Sequence, residues 1–282
     1  MAIQNPGSAL GEAIGFYLEV ALNEYIEQVA ADYDCLLISK GKINRKTKRP
    51  TKLLLYDNFG TPYNIDAVIT NESSQPLILI EYKYIRYKKH NRDKGSWICT
   101  AHNSVRRSYN SVRSSIAILA GSWSKSSMAM IKSNDINLFV IPFESITALL
   151  AEHNIVFNWG EKEREIANES WEKYSLLTNE QKMKIGQEMI MEIKDDVEKL
   201  IAQILDDSVI RKVDRVTIEI HTNIGEVKTF EFENIDDAMS FLEDFSFEEI
   251  LNNANSFTLF NHPKINTFQE DDDEENTLFI LD

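Results

Sequence analysis

Apolar residues recur every three or four positions over residues 8–30, where Leu10, Ile14, Leu18, Ala21, Leu22, Tyr25 and Val29 share one stripe. That spacing predicts an amphipathic helix, with Ser8 placed to cap it. Glu12 lies off the stripe, one turn from Phe16 and two from Glu19. The rhythm then shortens. Residues 35–39 and 52–57 read as strands around a basic loop, Lys40–Arg49, and Asn58-Phe59-Gly60-Thr61-Pro62 turns the chain into a further strand pair at 62–70 and 77–85. A helical stripe returns at Ala101, Val105, Tyr109, Val112, Ile116 and Leu119, predicting a helix over about 99–119. A strand at Leu138–Ile141 and a short helix at Ser145–Glu152 complete a mixed α/β (α+β) pattern.

The second half reads differently. Residues 161–178 are polar without a clear period, and Thr178-Asn179-Glu180-Gln181 is a capping-box signature. The helix it opens carries Met183, Ile190, Ile193, Val197, Leu200 and Ile204, with Gly186 in the one gap. Such a stripe packs on its own hairpin or, in the sharper reading, associates with a second protomer to give a homodimer. Alternation over 213–221 and 226–232 around Asn223-Ile224-Gly225 predicts a hairpin, followed by short helices over 235–244 and 247–252. The expected division is therefore 1–160 and 161–282, the latter an acidic helix-plus-hairpin region. An acidic run at Gln269–Glu275 reads as a solvated segment.

Charge sharpens this division. The net charge is −15, yet Lys40–Lys132 holds 18 basic against 5 acidic residues, while Glu161–Asp282 holds 12 against 31. A basic stretch of that strength points to a polyanionic partner, because Lys and Arg replace counterions along a phosphate backbone. The acidic half is expected to mask that face or meet a partner protein. Two cysteines, Cys35 and Cys99, are too few for a disulfide framework, and no apolar run approaches membrane-spanning length. These features predict a soluble protein of a reducing cytosol, with no membrane partner.

The chemistry concentrates in Ile65-Asp66-Ala67 and Leu77-Ile78-Leu79-Ile80-Glu81-Tyr82-Lys83. Glu81 and Lys83 are two residues apart and share a strand face. A turn centred between Ser73 and Ser74 sets Asp66 directly opposite Glu81, where like charges destabilise the pair. A divalent cation held by both carboxylates compensates them. The competing reading, a solvated edge strand with Lys83 pairing one carboxylate, fits poorly with a run that is apolar on both faces.

At these residues the chain resembles the PD-(D/E)XK nuclease superfamily, the restriction-endonuclease-like fold, over roughly residues 8–145. Asp66, Glu81 and Lys83 match its Asp and Glu-x-Lys positions, and Gly11-Glu12-Ala13 is the match for the further Glu that members place on the first helix. Ile65 stands where many members have Pro. The resemblance implies a central mixed sheet flanked by helices and a Mg²⁺-dependent endodeoxyribonuclease of phage-defence type, with Mn²⁺ as a substitute metal. It implies metal ligation by Asp66, Glu81 and Glu12, with Lys83 orienting water or steadying charge on the phosphorus oxygens. Duplex DNA is the expected substrate, its backbone gripped by Arg86, Lys88, Lys89, Arg92 and Lys94, then by Arg106, Arg107 and Arg113. Trp97 and Trp123 are expected as core anchors rather than base-stacking platforms, and His90 and His102 sit in no convincing metal module. Alternatives are a repair or recombination nuclease directed by DNA structure, a nuclease-like binding module without catalysis, and an acidic mimic of DNA.

Overall fold

A computed structural model describes residues 5–87, 91–160 and 163–246. The predicted helix at 247–252, the acidic run at 269–275 and Lys88, Lys89 and His90 lie outside the described residues. The chain divides into two compact units, Met1–Asp207 and Ser208–Asp282.

The first unit is built on a five-stranded mixed sheet of order β1-β4-β5-β6-β7. Its strands are β1 (Leu36–Ile38), β4 (Ala67–Thr70), β5 (Pro76–Ile85), β6 (Ser114–Gly121) and β7 (Asn137–Pro142). The small pair β2 (Leu54–Tyr56) and β3 (Pro62–Asn64) stands apart from it. β1–β4–β5 run antiparallel and β5–β6–β7 parallel, so β5 carries one neighbour of each kind.

Helix α1 (Pro6–Ala31) starts two residues earlier than predicted. Asn5, not Ser8, is the cap, its side chain accepting from the Ser8 amide at 3.2 Å. The predicted stripe packs into the main core, with Ile26 buried and Tyr25 only half-buried. That core also takes α4 (Phe143–Glu152), α5 (Arg164–Leu176), α6 (Asn179–Ile190) and α7 (Lys194–Leu205). On the other face, α2 (Asn91–Ser108) and α3 (Lys125–Lys132) pack against Ile85, Ala117 and Leu119. Trp123 is an anchor there, its indole N–H donating to the Ala120 carbonyl at 3.2 Å, whereas Trp97 is exposed beside Tyr63.

Two expectations are corrected. Residues 114–121 are a strand rather than the end of a helix, and all eight are buried. A continuous apolar run has no period to separate a core strand from a core helix, and Ile116-Ala117-Ile118-Leu119-Ala120 suits the middle of a parallel sheet. The first unit also extends to Asp207 instead of ending at residue 160. The charge reverses at 161 because surfaces change there, but the apolar faces of α5, α6 and α7 belong to the α1 core. The capping box forms as expected between Thr178 and Gln181. The long helix predicted after it breaks into α6 and α7 at Met191–Ile193, and its stripe packs on α1 within the first unit instead of standing bare for a second protomer.

In the second unit, β8 (Val216–His221) and β9 (Val227–Phe232) pair antiparallel around the predicted turn, with Gly225 at φ 90°. Phe241 of α8 (Ile235–Glu243) packs on Phe230 and Phe232, with ring centroids 4.6 and 5.1 Å apart.

Candidate active site

The site is set by one turn. Asn71 closes it twice, its amide donating to the Gln75 carbonyl at 3.1 Å and its side-chain oxygen accepting from the Gln75 amide at 2.9 Å, while Ser74 takes φ 61°. Ala67 then pairs with Ile80 and Val68 with Leu79, the register that sets Asp66 opposite Glu81. A bulge between Ile69 and Thr70 absorbs the odd residue nearer the turn.

Lys83 Nζ bridges the two carboxylates, 2.7 Å from Asp66 Oδ2 and 2.6 Å from Glu81 Oε1. Asp66 Oδ2 also accepts from the Tyr82 amide at 3.0 Å, and the Asp66 amide lies 3.4 Å from Glu81 Oε2. Glu81 is only 2 % exposed. Burial pushes its carboxyl up, but His102 and the Lys83 ammonium outweigh burial and hold it below the ordinary range. Asp66 moves the other way, raised first by burial and then by the charge on Glu81. The two therefore share one cation unequally, and Asp66 is the first to take a proton. Burial alone lowers the Lys83 ammonium, yet Glu81 and Asp66 together raise it, so it stays charged.

Two further residues belong here that the sequence reading did not place. Glu19, one face of α1 over, has its carboxyl raised by burial and then by Asp66, with Lys83 and Lys40 opposing. Its surface remains accessible, so it sits at the mouth of the site and not inside it. Glu12 is two turns away, about 10 Å along the helix, and its Oε1 accepts from its own helix's Ser8 hydroxyl at 3.3 Å. Glu19, and not Glu12, is the α1 carboxylate within the field of the pair. The second residue is His102 of α2, fully buried, with Nε2 3.9 Å from Glu81 Oε2. That is too long for a hydrogen bond, and neither ring nitrogen has such a partner among the described residues. A histidine within the buried run Ile98, Cys99, Ala101, His102, Val105 is the signal that pointed to it.

The basic residues part company. Arg92 and Lys94 are exposed in the first turn of α2. Arg86 is 9 % exposed and stacked over Trp159, so it is no surface phosphate grip. Arg107 is exposed at the far end of α2, where Arg106 donates to the Asp135 carbonyl at 3.1 Å. Some thirteen residues of helix, about 20 Å, separate them from Lys94. Arg113 is not helical and lies at the opposite end of β5, its amide donating to the Leu77 carbonyl at 2.7 Å. Its guanidinium staples α7, 2.9 Å from Asp207 Oδ1 and 3.0 Å from the Ile204 carbonyl. Arg113→Gln is therefore expected to lower stability by about 1 kcal/mol, read as a urea midpoint. An unchanged midpoint would show that Arg113 is no staple.

Among the described residues no group of three or more His, Cys, Asp or Glu side chains is arranged to hold a metal ion, and no helix is long and apolar enough to cross a membrane. No family model and no curated protein matches the chain. It is similar, at 11 % identity and a TM-score of 0.30, to the crystal structure of AF1548, a protein of unknown function, over 65 % of this chain and 98 % of that one.

Proposed function

We propose that this protein is a Mg²⁺-dependent endodeoxyribonuclease of restriction-endonuclease-like architecture. The observation that carries this reading is the convergence of Asp66, Glu81 and Lys83, with one ammonium drawn between two crowded carboxylates on a buried strand pair. A pair of hard oxygen donors that already attracts a cation suits Mg²⁺, which binds through one or two carboxylates and keeps water and phosphate for the rest of its shell. A preformed cage of three or more side chains is not required. Asp66 and Glu81 would hold the ion, with Glu19 near enough to reach it through water. Bound there, Mg²⁺ supplies charge against the phosphoryl oxygens and acidifies a water.

The chain's own residues do the rest. Lys83 neutralises the carboxylates in the free protein, and with substrate its ammonium faces the charge developing on the phosphoryl group. The Tyr82 amide holds Asp66 in position, and the full burial of His102 keeps bulk water from the back of Glu81. Incubation with supercoiled plasmid and linear DNA tests the reading. Cleavage is expected with Mg²⁺ or Mn²⁺ and not with EDTA, and Asp66→Asn or Lys83→Ala should slow it by about 10²-fold or more. Cleavage that persists in EDTA or in both variants would sink it, and DNA binding without cleavage would favour a non-catalytic module. A nuclease directed by DNA structure, as in repair or recombination, is the second reading. It is favoured by the cleft that adjoins Lys83.

A further inference from the structure

A cleft of about 760 Å³ runs from Lys83 and Glu19 along α1 to Trp159. Glycines open it. A Cβ at Gly11 would stand 3.3 Å from the Tyr84 ring and one at Gly15 3.4 Å from Tyr84 Cβ, so side chains there would fill the space between helix and strand. Arg86, three residues past Lys83 and just beyond the end of β5, is among the residues that line the cleft.

Arg86 is the unusual component. Its guanidinium sits 3.8 Å over the Trp159 ring and 4.6 Å from the Phe157 ring, and Nη2 donates to the Trp159 carbonyl at 2.8 Å. Nε and Nη1 have no hydrogen-bond partner, and no carboxylate pairs with the group among the described residues. A buried cation without a counter-ion is unfavourable, and an anion brought beside it offsets that. The rim adds the exposed cations Lys94 and Arg164 and two exposed aromatics, Phe16 and Tyr87. Of the three acids that line the cleft, Glu12 accepts from the Ser8 hydroxyl and Glu163 from the Gly160 amide at 2.7 Å, while Glu19 lies at the Lys83 end, away from Arg164 and Trp159.

From this geometry we propose that the cleft receives one unpaired nucleotide of the substrate strand, adjacent to the bond that is cut. The identification of the ligand as DNA rests on the nuclease reading above. The volume matches a single small ligand. Cations beside exposed rings are the chemistry by which proteins hold single strands, with the phosphate drawn to positive charge and the base laid on an aromatic face. A base within a duplex is stacked and paired on both sides and cannot enter without being extruded. The preferred substrate is then a strand end, overhang or flap, not an intact blunt duplex.

Fluorescence anisotropy in EDTA tests this without cleavage, using a labelled single strand, a blunt duplex of the same sequence and that duplex with a single-stranded overhang. The strand and the overhang should bind about tenfold tighter than the blunt duplex. Phe16→Ala, at an exposed position that leaves the core intact, should weaken strand binding about fivefold or more without changing blunt-duplex binding, and Lys94→Gln should weaken strand binding by a similar factor and blunt-duplex binding less. Equal affinity for strand and duplex, wild-type affinity in both variants, or no binding of any DNA would overturn the proposal. A strand preference carried by Phe16 and Lys94 in a protein that never cuts would keep the cleft and retire the nuclease. Mg²⁺-dependent cutting with no such preference would do the reverse.

Discussion

Replacing Lys83 by methionine is expected to lower stability by about 2–3 kcal/mol near pH 8, and to do so far less near pH 5. Removing one partner of a buried charge cluster costs about 3–5 kcal/mol. Lys83 and Asp66 keep 23 % and 17 % of their side-chain surface, so solvent relieves part of that. In the native protein the ammonium is raised, and its contribution is complete at neutral pH and lost only as pH climbs through its elevated titration range. The carboxyl of Asp66 is raised too, so its ionisation opposes folding and that opposition fades as pH falls. Without Lys83 both carboxylates face each other uncompensated, and the folded state binds protons more avidly than the unfolded one. Stability then recovers on acidification. Urea midpoints at the two pH values read this directly, and Mg²⁺ should raise the midpoint of the variant more than that of the wild type. A variant as stable as the wild type at both pH values, indifferent to Mg²⁺, would mean that the carboxylates do not share a cation.

Gly186→Leu is expected to cost about 3 kcal/mol, with Gly186→Ala costing less but still destabilising. Helix propensity predicts the opposite for alanine, which should gain up to about 1 kcal/mol over glycine. The packing decides. A Cβ at Gly186 would lie 2.5 Å from the Tyr17 carbonyl oxygen and 3.4 Å from Ala21 Cβ, so α6 could keep its helix only by backing away from α1. The two nearest atoms are the Tyr17 carbonyl oxygen and, at 3.0 Å, its carbon, both backbone that cannot swing aside. Denaturant midpoints for the two variants check the sign, and a stabilised Gly186→Ala would show that the two helices are not in close contact.

The hairpin that carries the site was legible because its register depends on local chemistry, a polar six-residue turn between two apolar runs, and Asp66 falls opposite Glu81 whatever surrounds it. The choice between Glu12 and Glu19 was not legible. Both leave the buried stripe of one helix, and only the packing of α1, including the Tyr82 hydroxyl on Asn23 at 3.2 Å, fixes which turn overlies the strand pair. His102 was passed over for the related reason that a buried side chain takes its meaning from the element it faces, here Glu81. β6 was misread because a strand enclosed on both sides has no alternation to betray it. Arg113 followed that error, since placing it on a helix made a structural staple look like a surface cation. The charge reversal at 161 marked a change in what the surface carries, and the core took no notice of it.

The dependence of α1 on the helices that follow the sheet has a consequence for synthesis. Asp66, Glu81 and Lys83 have all been added once the ribosome passes residue 83, but the outer face of the helix bearing Glu19 stays bare until α5, α6 and α7 emerge, ending at Leu205. About 120 residues intervene, some 6–24 s of elongation at roughly 5–20 residues per second. During that interval a nascent chain already holds Asp66, Glu81 and Lys83 but lacks the packing that sets α1 and Glu19 over them. An interrupted translation product ending near residue 160 is thus expected to carry the strand pair without a settled α1.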